Sequence, residues 1–138
     1  MWKSEDRGLH WTAVNKGMLD VGVESIAVSS DDTVYAVTGA SPPQPLRRRD
    51  KGSIWTDLAT AVPSFSGGTL WAASDPPGAL FLVDHKGQVD VSCDGDDHWL
   101  VLVAPTGGPS SLITFSADGS VVLLAGSEGS GAFRASVH

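Results

Sequence analysis

Apolar and polar residues alternate along most of the chain, in short runs separated by glycine, proline and aspartate. Residues 22–29 show this alternation clearly, and 33–38 follow after the Ser30-Asp-Asp turn. A period of two residues is typical of strands, and this punctuation marks the turns between them. We therefore predict an all-β chain with, at most, one helical turn near 15–20. The predicted strands are 10–14, 22–29, 33–38, 54–59, 68–74, 79–83, 88–92, 98–103, 111–116, 120–126 and 131–136, with another short strand leading into residue 48.

A repeat with a fixed period underlies this pattern. Asp6, Asp50 and Asp94 are separated by 50 − 6 = 44 and 94 − 50 = 44 residues, and a tryptophan follows five residues after each. We call the segments 4–11, 48–55 and 92–99 the first, second and third boxes. A period of this length is typical of stacked repeats, in which each unit buries its apolar face against its neighbours. We predict one domain, 1–138, with repeats at about 4–47, 48–91 and 92–135.

The boxes follow the pattern Ser-x-Asp-x-Gly-x-x-Trp, which resembles the Asp-box of BNR-type β-propellers. That superfamily includes sialidases, sortilin-like propellers, xyloglucanase-like glycosidases and photosystem II assembly-factor-like proteins. Arg48 replaces the serine of the second box, and Asp96 replaces the glycine of the third. The resemblance implies that each box is a structural turn between the third and fourth strands of a blade. The residues that match the pattern are Ser4, Asp6, Gly8, Trp11, Asp50, Gly52, Trp55, Ser92, Asp94 and Trp99.

The resemblance also implies four-stranded antiparallel blades. In this register the chain holds one outermost strand at 10–14, two complete blades and three strands of a last blade, or three blade equivalents. Propellers typically have about 4–8 blades, so three cannot close a ring. Two alternatives remain open. Two chains form a six-bladed homodimer, with each first strand completing its partner's last blade, or the chain is part of a longer propeller.

Composition narrows the possible partners. The net charge of −7 and the sequence pI near 4.7 argue against nucleic acid, which needs a basic surface. Cys93 is the only cysteine, so no intrachain disulfide forms. The first residues form no secretory signal and no apolar run is long enough for a membrane span. As written, the chain is expected to be cytoplasmic; as a fragment of the resembling families it would be extracytoplasmic.

Several residues carry suggestive chemistry that simpler interpretations explain. His10 and His98 lie two periods apart and belong to different blades, so we expect no shared metal. The run Asp94-Gly-Asp-Asp97 lacks the glutamate that an EF-hand loop requires and is interpreted as a turn. The cluster 47–51 is interpreted as a solvated basic turn, and Trp71 as a core residue. We expect no metal site and no cofactor.

In the resembling families, ligands bind at the face opposite the Asp-boxes, on loops between blades and between second and third strands. Function tends to reside on loops that a rigid scaffold positions. The candidate binding residues in these loops are Asn15, Lys16, Asp20, Asp84, His85, Lys86 and Glu128.

The sequence favours a binding module over an enzyme. A sialidase-like hydrolase needs a tyrosine nucleophile, but Tyr35, the only tyrosine, lies within a regular strand pattern. An inverting glycosidase needs two carboxylates about 6.5–9.5 Å apart; Asp20, Asp84 and Glu128 are available, but no spacing selects them. We expect a non-catalytic binding or scaffold module for a protein or carbohydrate ligand. The alternative is a fragment of a carbohydrate-active propeller enzyme, a glycoside hydrolase or sialidase-like protein.

Overall fold

The structure is a computed structural model that describes residues 1–18, 22–39, 47–49, 54–58, 62, 67–73, 78–95, 98–102, 111–117, 120–127 and 131–137. Regular structure in these residues consists of strands alone, without a helix. The strands are β1 (Trp2–Lys3), β2 (Thr12–Ala13), β3 (Val23–Val28), β4 (Val34–Thr38), β5 (Arg47–Arg49), β6 (Thr56–Asp57), β7 (Gly68–Ala72), β8 (Leu80–Asp84), β9 (Val89–Ser92), β10 (Leu100–Leu102), β11 (Ser111–Ala117), β12 (Ser120–Ser127) and β13 (Gly131–Val137).

These strands form antiparallel sheets in which chain neighbours pair with one another. Sheet I has the order β3-β4-β5-β6, sheet II β10-β9-β8-β7 and sheet III β11-β12-β13, while β1 and β2 form a separate hairpin. The all-β, antiparallel prediction is therefore confirmed. Each predicted strand from 22–29 onward overlaps an observed one, and their boundaries differ by a few residues at most.

Two expectations need correction. The strand at 10–14 was expected to be unpaired within the chain, but Lys3 pairs with Thr12 and Trp2 with Ala13. The two-residue strand β1 carries too short a pattern to be seen in the sequence. The basic cluster at 47–51 was expected to be a solvated turn, but Arg47–Arg49 form β5 between β4 and β6, which is the short strand predicted to lead into residue 48.

Sheets I and II pack face to face through an apolar core. Tyr35 and Val37 of β4 meet Leu70, Leu80 and Leu82 of sheet II. Successive strand residues point to opposite faces, and β3 accordingly alternates between half-buried and exposed positions. Leu70 is 2% exposed and Leu82 0%. Burial of one such side chain contributes about 1.5–3 kcal/mol, so this interface is a principal source of stability.

Sheet II is also covered on its other face. Phe81, Val83, Val89 and Val91 form a second core with Leu123 of sheet III. Strand β8 is consequently buried at every position, from Leu80 to Asp84. A strand that is covered on both faces carries a continuous apolar run instead of alternation, which explains the sequence Leu-Phe-Leu-Val. Trp71 packs against this core, in agreement with its predicted structural role.

The contacts between turns define two opposite ends of this stack. At one end, which we call the box end, Gly78 donates its N–H to Ser29 Oγ at 3.1 Å, and Gly78 lies close to Gly95 of the third box. At the other, which we call the loop end, β7 begins at Gly68 and β8 ends at Asp84. The candidate residues Asp84, His85 and Lys86 therefore lie at the loop end, away from the third box.

Candidate functional site

The first box is a hydrogen-bonded turn that connects the two strands of the hairpin. Ser4 Oγ accepts a hydrogen bond from the N–H of Gly8 at 2.7 Å and donates one to Asp6 Oδ1 at 2.9 Å. Asp6 Oδ1 in turn accepts the N–H of His10 at 2.8 Å. Arg7 and Gly8 both have positive φ, 62° and 92°, a conformation that glycine adopts at little cost. The serine, aspartate and glycine of the pattern thus serve the turn itself.

The third box has nearly the same bonds. Ser92 Oγ donates to Asp94 Oδ1 at 2.9 Å, and the N–H of His98 donates to the same oxygen at 3.0 Å. Gly95, which follows Asp94 directly, takes the positive φ of 78°. Asp96, which departs from the glycine of the pattern, lies outside the described residues. In the second box, Asp50 and Gly52 also lie outside them.

Each histidine that precedes a box tryptophan contacts the aspartate of its own box. His10 Nδ1 contacts Asp6 Oδ2, and His98 Nδ1 lies 2.6 Å from Asp94 Oδ2. The side-chain and backbone hydrogen bonds from His98 lower the pKa of Asp94 to about 2. The two histidines therefore belong to separate turns, as the repeat spacing predicted. Among the described residues, no group of three or more His, Cys, Asp or Glu side chains is arranged to hold a metal ion.

Cys93 lies beside Asp94 in the third box and is a free, exposed cysteine. Partial burial of its thiol raises the pKa of Cys93, and the negative charge of Asp94 raises it further. Because the thiolate is the reactive form, these surroundings make Cys93 a poor nucleophile.

At the loop end, the carboxylate of Glu24 crosses from sheet I to sheet II. Its Oε2 accepts the N–H of Gly68 at 3.1 Å and lies 3.4 Å from Nε2 of His85. A β-bulge between Val23 and Ser25 shifts the register of β3 against β4 at this point. Bulges re-aim side chains, and this one directs Glu24 toward the neighbouring sheet.

Close backbone approach shapes the surroundings of Glu24. A Cβ added to Gly67 would lie 2.8 Å from Glu24 Oε2 and 2.8 Å from His85 Nε2, and Gly67 has a φ of +85°. The N–H of His85 also donates to the Gly67 carbonyl at 3.2 Å. Glycine at this position lets the carboxylate and the imidazole share one small region of the surface.

Asp84 closes the loop that carries His85 and Lys86. Its Oδ1 accepts the N–H groups of Lys86 and Gln88, both at 2.8 Å. Aspartate commonly stabilises turns by bonding to backbone donors two or more residues ahead. Asp84 is 6% exposed, so its carboxylate supports the loop, whereas His85 and Lys86 are exposed.

Asp90 is a buried carboxylate next to this loop, with no exposed surface. Gln88 Nε2 donates to both of its oxygens, at 3.0 and 3.1 Å. Burial raises the pKa of Asp90; the Gln88 hydrogen bonds oppose this, and the charge of Asp84 adds to it. Sequence reasoning missed Glu24, Gln88 and Asp90 because each occupies an ordinary position within or beside a strand.

The predicted binding residues divide into groups with different neighbours. Asp84, His85 and Lys86 share the loop end with Glu24. The Asn15 Oδ1 accepts a hydrogen bond from the N-terminal amino group, and the Lys16 carbonyl accepts the N–H of Trp55 at 2.9 Å. Lys16 therefore lies against Trp55 of the second box, and Asn15 lies against the N-terminus. Asp20 and Glu128, the remaining two predicted residues, lie outside the described part of the chain.

Comparisons with known proteins give a weak structural likeness and no match in sequence. No family model matches the chain, and no curated protein matches it in sequence. The crystal structure of the GH74 xyloglucanase from Xanthomonas campestris is similar, with a TM-score of 0.40 and 15% sequence identity over 81% of this chain and 24% of that chain. The chain thus spans about a quarter of that enzyme's length. The description of stacked antiparallel sheets rests instead on the strand pairing and on the apolar cores that the sheets share.

Proposed function

We propose that this chain is a non-catalytic module of the BNR β-propeller type, which binds a carbohydrate or protein partner at its loop end. In this proposal sheets I and II are complete blades, the hairpin β1-β2 is the third and fourth strand of another blade, and each box is the turn between a third and a fourth strand. The hydrogen bonds within Ser4–Trp11 and Ser92–Trp99 support that assignment, because they engage the serine and aspartate of the pattern.

The observation that carries the binding role is the convergence of Glu24 and His85. These side chains come from adjacent sheets and lie 3.4 Å apart, and His85 is 63% exposed. Lys86 and the backbone of Gly67 lie beside them, so acceptors and donors are both present. Such a set of polar groups on a rigid scaffold suits hydrogen bonding to sugar hydroxyls or to a polar peptide.

The same geometry favours binding over hydrolysis. Asp84, a carboxylate available to an inverting glycosidase, is buried and holds two backbone N–H groups. A general acid or base must reach the substrate, and Asp84 is occupied in supporting its loop. Asp84 is therefore unsuited to this catalytic role; Asp20 and Glu128, the other two carboxylates considered, lie outside the described residues.

The test is a glycan array with the intact chain, followed by an NMR titration with the oligosaccharide that binds best. We expect His85→Ala and Glu24→Gln to weaken binding at least tenfold, and His98→Ala at the box end to leave it unchanged. Binding that all three variants retain would contradict this site. Reducing sugar released from β-glucans by the wild-type chain would instead support the hydrolase alternative.

A further inference from the structure

Exposed apolar residues on the two outer faces of the stack have more deeply buried counterparts at equivalent positions inside it. Leu70 of β7 is 2% exposed against sheet I, whereas Ile26, 44 residues earlier on β3, is 49% exposed. Val28 on the same face is 59% exposed. The outer face of β3 is therefore built like the buried face of β7, but no described sheet covers it.

The outer face of sheet III, on the opposite side of the stack, is also exposed where the equivalent faces of the other sheets are buried. Val37 pairs with Ser25, Val83 with Thr69 and Leu124 with Ile113, so these three residues occupy equivalent positions in the sheets. Val37 and Val83 are buried against the next sheet, with 0% and 7% exposure, whereas Leu124 is 39% exposed. Sheet III thus presents the face that sheets I and II each bury.

The hairpin and sheet III are also complementary in the strands that they contain. In sheet II the fourth strand pairs with the third through Leu100↔Val91 and Val101↔Asp90. In the hairpin, Thr12↔Lys3 and Ala13↔Trp2 have the same register 88 residues earlier. Strand β2 is therefore a fourth strand, like β10. Sheet III has its third strand, β13, at its edge and no fourth strand among the described residues.

The box tryptophans also differ between the inside of the stack and its outer face. Trp55 is 2% exposed, and its Nε1 donates to the Val14 carbonyl of the preceding repeat at 2.7 Å. Trp11, its equivalent, is 58% exposed and folds its Nε1 back onto Gly8 O at 3.0 Å. By the period, the carbonyl that matches Val14 at the far end of the stack is that of Leu102 (14 + 88 = 102).

We propose that two copies of this chain associate head to tail, with the outer face of sheet I in each copy against the outer face of sheet III in the other. Each β2 then becomes the fourth strand of its partner's sheet III. The partner's β13 then replaces β1, which holds β2 through only two residue pairs. Ile26 and Val28 pack against the face of sheet III that carries Leu124, and Trp11 covers the segment at Leu102. An open depression of about 480 Å³, lined by Met1 and β3 residues 23–26, lies where the incoming sheet would pack.

This inference rests on the proposed blade assignment but not on ligand binding at the loop end. A second copy can supply both contacts, because each chain carries the exposed β3 face on one side of the stack and the exposed sheet III face on the other. Closing both ends gives each pair of chains six four-stranded blades, which lies within the range of about 4–8 that propellers use. Closure also removes the exposed edge of β13, and unpaired edges are liabilities in soluble β-proteins.

Light scattering of the intact chain tests the association directly. We expect twice the chain mass of 14.3 kDa for the wild type and the single-chain mass for Val28→Glu, which places a charge in the interface. Since Val28 is 59% exposed, the far-UV circular dichroism of that variant should be unchanged. Thr56→Glu is the control: Thr56 is exposed on β6 of sheet I, where no contact with the partner is proposed, and this variant should keep the doubled mass. A wild type that stays monomeric at millimolar concentration, or a Val28→Glu variant of doubled mass, would overturn the proposal.

A cysteine experiment tests the register. The repeat predicts that Ala13 of one copy lies opposite Arg134 of the other, as Val101 lies opposite Asp90. In a Cys93→Ser background, Ala13→Cys and Arg134→Cys chains should form a disulfide-linked dimer when mixed, and neither should do so alone. Absence of the mixed dimer would contradict the strand exchange, and glycan binding by the same samples reports separately on the loop end.

Discussion

Trp55 and Val14 join two sheets through one hydrogen bond, from the indole nitrogen to the main-chain carbonyl 41 residues earlier, at 2.7 Å. The main-chain N–H of Trp55 also donates to Lys16 at 2.9 Å. The box tryptophan therefore fastens its own sheet to the preceding repeat. This relationship makes the tryptophan of the pattern a contact between repeats, whereas the serine and aspartate act within the turn.

Replacing Trp55 should show this difference. We expect Trp55→Ala to lower the free energy of unfolding by about 3–5 kcal/mol, the usual cost of removing a buried tryptophan. Trp11→Ala, at the equivalent but exposed position, should cost less than about 0.5 kcal/mol. Both are measured by urea denaturation in the Val28→Glu background, which we expect to be monomeric. Equal losses in the two variants would show that the tryptophans have the same environment.

The third box predicts a defined response to acid. The folded-state pKa of Asp94 is lowered from 3.8 to about 2, so its ionised form stabilises the folded chain. That contribution is complete above pH 3.8 and is lost as the pH falls toward 2. We expect Asp94→Asn to flatten the loss of thermal stability in this range, as measured by melts from pH 5 to 2.

Asp32→Asn is the control for this acid titration, because Asp32 is an exposed turn residue with a φ of 66° that asparagine tolerates. Its acid profile should follow that of the wild type. An Asp94→Asn profile identical to the wild-type profile would show that the His98 bonds do not hold Asp94 ionised.

Asp90 should behave in the opposite way. Its folded-state pKa is raised by burial, so its effect on stability is most favourable below 3.8 and is lost as the pH rises through the folded-state pKa. Asp90→Asn removes the buried charge and keeps an oxygen that accepts from Gln88. We expect this variant to be more stable at pH 7 by about 1 kcal/mol. A lower melting temperature at pH 7 would mean that Asp90 has an ionic partner.

Gly68 is required by close packing at the loop end. An added Cβ would lie 2.1 Å from the Val83 carbonyl oxygen, which is backbone and cannot move aside as a side chain would. We therefore expect Gly68→Ala to destabilise the chain by more than about 1 kcal/mol and to displace Glu24 from its bond to Gly68. Gly22→Ala is the control, since nothing lies within 4 Å of its Cβ position. Equal melting temperatures for the two variants would rule out this constraint.

The strands could be predicted from the sequence because their patterns are local. Val23–Val28 alternates, and the buried run at Leu80–Asp84 is bounded by turn residues on both sides. Strand β1 was missed, because two residues carry no period. Its presence also changes the strand count of the proposed dimer. The hairpin already contains a third and a fourth strand, so a partner strand must displace β1 to pair with β2.

Only part of the candidate site could be predicted from the sequence. The loop that holds His85 follows from the order of strands, but Glu24 alternates as an exposed strand residue and nothing in the sequence marks the bulge that turns it. Asn15 and Lys16 were predicted from their position between strands. Their contacts with the N-terminus and Trp55 depend on the packing of one repeat against the next, which spacing alone does not describe.

Successive repeats stack with sheet I against sheet II. Tyr35 is the only tyrosine of the chain, so its ring protons are assigned without ambiguity. Nuclear Overhauser effects between the Tyr35 ring and the methyl groups of Leu70 or Leu82 test the stacking directly, because these residues belong to one core cluster. Stacking of sheet I on sheet II predicts strong effects to at least one of the two leucines. Their absence in a folded sample with assigned methyl groups would contradict the stacked arrangement.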